Sequence, residues 1–173
     1  SASDVSLQRL VAFGLGPLMK AAFDEIFRSP FIARMVVAEL DPSDPLETFY
    51  TIDADGSFSS SAAAAAIAGT ADSAEAILAR LGKDDDRQVS LEEALSRALD
   101  AWAAGRIQAE REDAEEELEA DRPITDEDVV AAIGGALDAG RIEAAVLDRT
   151  LPTKTKFRLL TEADLEGALA QFR

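Results

Sequence analysis

FIARMVVAELDPSDPLETFYTIDADGSFSSSAAAAAIAG, residues 31–69, is the stretch whose reading decides the fold. Residues 31–40 form an apolar run short enough for a strand, and the adjacent Val36 and Val37 predict one covered on both faces. Asp41-Pro42-Ser43-Asp44-Pro45 is loop by composition. TFYTID, residues 48–53, predicts a second strand. Asp55-Gly56 is the strongest hairpin signal in the chain, because both central residues of such a turn tolerate positive φ. Residues 57–68 then predict one or more small-residue strands ending at Gly69. The alanines from Ala62 to Ala66 would equally suit a helix on propensity. Their place between a hairpin and a glycine favours strand.

Helices flank this block. Leu7, Leu10, Val11, Leu15, Leu18, Ala22 and Ile26 recur at spacings of three and four. Gly14, Gly16 and Pro17 should kink or divide that helix, and Ser29-Pro30 should close it. Beyond Gly69 a helix is predicted over 70–81. A second runs from the capping box Ser90-Leu91-Glu92-Glu93 to about residue 104, with Leu91, Ala94, Leu95, Ala98, Leu99 and Trp102 on one face. Thr125 caps a third, carrying Val129, Val130, Ile133 and Leu137 and stopping at Gly140. Residues 141–148 and 156–160 predict a strand pair around Pro152. Thr161 opens a short last helix bearing Leu165, Leu169 and Phe172. Both strands and helices are predicted, as in an α+β chain.

The chain has 173 residues, 47% apolar but only 6% aromatic, so the core is built from small and aliphatic side chains. That length predicts one domain over residues 1–173, able to bury roughly two-thirds of its unfolded surface. Lys and Arg number 17 against 34 Asp and Glu, a formal net charge of −17. Such a field repels phosphate backbones and anionic lipid, which argues against nucleic acid and membrane surfaces as partners. There is no cysteine and no histidine. Disulfides, thiolate metal sites and Ser-His-Asp catalysis are thereby excluded. A chain without disulfides fits the cytoplasm. No apolar run approaches the ~20 residues needed to span a bilayer, and SASDVSLQRL lacks the basic-then-apolar signature of a signal peptide.

Six segments, in order, resemble the second half of a proteasome core subunit. VSLQRLVAFGLGPLMKAAFDEIF is similar to that family's second long helix, and FIARMVVAEL to the strand that often reads VEICVAEV in actinobacterial α subunits. FYTIDADGSF is similar to LYRID-x-DGS through Tyr50, Ile52, Asp53, Asp55, Gly56 and Ser57. The small-residue strand follows, then VSLEEALSRAL, similar to SLEEAxxLAxxAL. IEAAVLDRTLPTKTKFRLLT resembles the closing strand pair. The resemblance implies an αββα four-layer sandwich of the N-terminal nucleophile hydrolase type, here without the family's first strands and helix, which nothing in the chain matches. It implies ring assembly with other proteasome-like subunits, an ATPase regulator, and unfolded proteins as substrates. Where catalytic β subunits show Gly-Ser-Gly-Ser, this chain has Ala68-Gly69-Thr70-Ala71. Where they carry a Ser-Gly-Asp-type loop, it has Asp138-Ala139-Gly140-Arg141. Both departures favour the inert α type. A β-type threonine peptidase lacking its N-terminal half and a stand-alone acidic adaptor are the alternatives.

No residue is nominated as catalytic, cofactor-binding or metal-binding, and no cofactor is expected. Ser1 has the right type for an N-terminal nucleophile, but SASDVS leads into a helix, whereas that chemistry needs the start of a strand beside a lysine. The pairs Glu92/Glu93 and Glu115/Glu116 are neighbours that do not face each other on a helix. The run Lys83-Asp84-Asp85-Asp86-Arg87 lacks EF-hand spacing and is a solvated turn. Lys154 and Lys156 flank Thr155 at a strand end, and Trp102 belongs to the core. The stretch 106–123 is an acidic insertion: residues 110–121 hold eight carboxylates and one arginine. It is an extended charged helix or a surface segment, since burying unpaired charge costs several kcal/mol per ion.

Overall fold

The computed structural model describes residues 6–25, 27, 32–40, 48–82, 89–113, 122–139, 142–153, 155–170 and 172. Ser1, Ser29-Pro30, the loop at 41–45, the turn at 83–87, Glu115/Glu116, Gly140, Arg141 and Lys154 lie outside the described residues. The chain forms two compact units, Ser1–Ile67 and Ala68–Arg173. Both strands and helices are present, as an α+β chain requires.

The first unit opens with α1 (Leu7–Leu10), a π-helical turn (Val11–Leu15) and α2 (Gly16–Asp24). Around Gly14, Gly16 and Pro17 the α-helix is interrupted by the π-helical turn and does not end. Instead the backbone widens, and the Gly16 N–H donates to Val11 O, five residues back. Pro17 lacks an N–H and would crowd a regular α turn, and the wider turn absorbs that mismatch. Leu7 and Val11 are buried with Met19. The helix start is capped twice, by the Ser6 hydroxyl accepting from the Arg9 N–H and by Glu39 Oε2 accepting from the Leu7 N–H at 3.0 Å. A carboxylate there also meets the positive end of the helix dipole.

Glu39 ends β1 (Met35–Glu39), which pairs antiparallel with β2 (Thr48–Ile52) in the register Met35↔Ile52 and Val37↔Tyr50. Met35 and Val37 pack with Tyr50 and Ile52 on the core, whereas Val36 and Ala38 face solvent. The prediction of a strand covered on both faces is corrected: β1 alternates, as in a sheet with one wet face. β3 (Phe58–Ser61) completes the sheet in the order β1-β2-β3. The expected strand over 57–68 stops at Ser61. Its hydroxyl accepts from the Ala63 and Ala64 N–H groups at 3.3 and 3.4 Å, diverting the backbone from a ladder that alanine supports poorly.

The Asp-Gly turn is present in a different form. Gly56 N–H donates to Asp53 O, and Gly56 alone of the turn has positive φ, at 80°. This is a three-residue connection with a glycine bulge rather than a two-residue turn with two left-handed centres. Asp55 Oδ1 accepts from the Ser57 N–H and hydroxyl at 2.9 and 2.7 Å, which locks the bend.

The second unit begins with α3 (Ala71–Leu81), capped by Thr70, and α4 (Leu91–Asp113). These two helices pack closely because α4 offers Ala101, Ala104 and Gly105 along one face, all buried. A Cβ on Gly105 would lie 2.6 Å from Ile77 Cδ1 and 3.0 Å from Ser73 O. Ser73 is wholly buried, and its hydroxyl oxygen accepts from Thr70 Oγ1 at 2.8 Å. Arg80 ties the pair together: its Nη1 donates to both oxygens of Asp100 at 3.0 Å, and Nη2 donates to Ile124 O at 3.3 Å.

The helix expected to end near 104 continues to Asp113. Ile107 stays buried, Arg106 pairs with Glu110 at 3.0 Å, and Arg111 Nη1 donates to Arg122 O at 2.6 Å. So residues 106–113 of the acidic stretch are part of a packed helix, and residues 114–121 lie outside the described residues. The opposite face of α4, through Leu95, Leu99 and Ala103, joins Val129 and Ile133 of α5 (Asp126–Asp138) and Leu165, Ala168 and Leu169 of α6 (Glu162–Ala170) in one core. The predicted strand pair is β4 (Ala145–Leu147) and β5 (Phe157–Leu159), antiparallel and forming a sheet of their own.

The α3–α4 contact leaves no room for a methyl group at position 105. Gly105→Ala should cost about 1–3 kcal/mol through overpacking, despite the higher helix propensity of alanine, and Ile77→Ala should recover part of the loss. Urea unfolding of the single and double variants measures both effects.

Candidate functional site

Thr125, Thr161 and Thr70 each precede a helix, and each hydroxyl is committed to its cap. Thr125 and Asp128 form a reciprocal capping box: Asp128 Oδ2 accepts from the Thr125 N–H at 2.9 Å, and Thr125 Oγ1 accepts from the Asp128 N–H at 3.3 Å. Arg122 Nη2 adds an ion pair to Asp128 at 3.0 Å. Together these donors hold the Asp128 carboxyl at about 2, below the ordinary 3.8, with the backbone N–H of Thr125 the largest cause. Thr161 and Asp164 repeat the arrangement with Arg158 in the place of Arg122 at 2.8 Å. Asp164 is lowered by the same kind of bonds, first that from the Thr161 N–H. Asp55 and Asp148 are lowered by serine and threonine donors two residues on. These carboxylates hold local structure and are kept ionised by it.

Of the pairs noted in the sequence, Glu92 and Glu93 are described, and they separate in space. Glu93 accepts from Arg97 at 2.6 Å, while Glu92 lies over Gly167 of α6. Lys156 turns its amine onto the carbonyls of Arg149 and Leu151 and closes the loop between β4 and β5 from a backbone with φ of 50°. Trp102 packs against the core, as expected, with the Arg106 guanidinium 5.9 Å from its ring centroid. Among the described residues no group of three carboxylates is placed to hold a metal ion. Nor is any helix long and apolar enough to cross a membrane.

What the sequence did not announce is a groove between α5 and α6. It has a volume of ≈ 850 Å³. Leu137, Ile142, Leu165, Leu169 and Phe172 give it an apolar floor, and Asp138, Glu162 and Glu166 stand on its rim. All three carboxylates are exposed, and no basic side chain lines it among the described residues. Two signals were available. Glu162 and Glu166 are four apart and share a helix face, as do Leu165 and Leu169. The meeting of α5 with α6 was not legible. A second, smaller hollow of ≈ 280 Å³ lies against Leu95, Leu99, Trp102, Ala144 and Leu165 and is almost wholly apolar. A concave apolar floor with a few polar groups on the rim is the ordinary geometry of a binding site.

No protein-family model, curated protein or solved structure matches the chain.

The capping carboxylate gives a pH signature. Because the folded carboxyl of Asp128 sits below its unfolded value, its contribution is complete above about pH 4 and is lost as pH falls through about 2. Asp128→Asn should lower the thermal midpoint at neutral pH. The gap to the parent should narrow as pH is taken from about 4 towards 2. Melts monitored by circular dichroism across that range check the sign.

Proposed function

We propose that the chain is a non-catalytic, α-type structural subunit of a proteasome-like proteolytic barrel. The order of elements carries the reading. A long helix leads into the β1-β2-β3 meander turned at Asp55-Gly56, then come the α3–α4 helix pair, α5, the β4–β5 hairpin and α6. The first helix, the three strands of the meander, α4 and the β4–β5 hairpin fall on the segments that resemble the family, in the same order, whereas α3, α5 and α6 lie outside those segments. In this reading the fold is of the four-layer αββα type.

Exposed apolar surface supports assembly. Phe13, Leu18 and Phe23 are exposed on the first helix, Val36 and Phe58 on the first sheet, and Phe157 and Leu159 on the second. Sheet edges with apolar neighbours are hazards in a solitary chain and are useful where another chain covers them. The use of threonine hydroxyls as helix caps supports a structural role over nucleophilic catalysis. The proposed partners are sister subunits of a ring, an ATPase regulator and unfolded protein passing through the barrel, in the cytoplasm.

The test is isolation of the native assembly. Native mass spectrometry and electron microscopy should find the chain in stacked rings. Fluorogenic peptides should be cleaved by the assembly and not by the isolated chain. A native chain that is a stable monomer at micromolar concentration overturns the reading. So does peptide cleavage by the isolated chain that is abolished by Ser1→Ala.

A further inference from the structure

We draw no further inference here: the strongest candidate, the apolar hollow of the second unit against Leu95, Leu99, Trp102, Ala144 and Leu165, is an unpartnered face, and nothing in the structure shows what covers it.

Discussion

The close approach of α3 to α4 at Gly105 is the constraint on which the second unit depends. Helices come this near only where one of them has no side chain in the way. Ala101, Ala104 and Gly105 clear the path, Ile77 and the backbone of Ser73 fill it, and Arg80 ties it through Asp100 and Ile124. With one face of α4 so occupied, its other face is free to carry the aliphatic core. Leu95, Leu99 and Ala103 then set where α5 and α6 lie, and the groove is the space left between those two.

The first unit has a parallel device. Glu39 reaches from the end of β1 to the N-terminus of α1, and Gly16 and Gly56 let the widened helix meet the hairpin turn, the Gly56 carbonyl standing 3.0 Å from where a Gly16 Cβ would be. In both units the decisive contacts involve backbone and short polar side chains. Large aromatics are few, and among the described phenylalanines Phe13, Phe23, Phe27 and Phe157 are more than half exposed. Exposed aromatics of this kind suit contact with other surfaces.

Charge is handled locally. Part of the acidic excess stands at helix starts, where Asp128 and Asp164 cap with their threonines and are met by Arg122 and Arg158. Basic residues are sparse, and most of those described are used to join elements rather than to cancel the field.

Helix starts were legible from the amino-acid order, because a cap is a local event: Thr70, Ser90, Thr125 and Thr161 each stand where a helix begins. The strands around Asp55-Gly56 and Pro152 were legible for the same reason. Chain order does not state which face a neighbour will cover. Val36 and Val37 both looked buried, yet one faces solvent, because the sheet receives its helix on one side only. The alanines after Ser61 and the charged residues after Ala104 have propensities that permit several outcomes. A serine hydroxyl ended the one run, and Ile107 with Arg106 and Arg111 extended the other. Composition and spacing alone determined an acidic α+β chain without histidine or cysteine chemistry. Only the packing of α4 against its neighbours decided where the groove and its carboxylates would lie, since a concave surface is a property of elements distant in sequence.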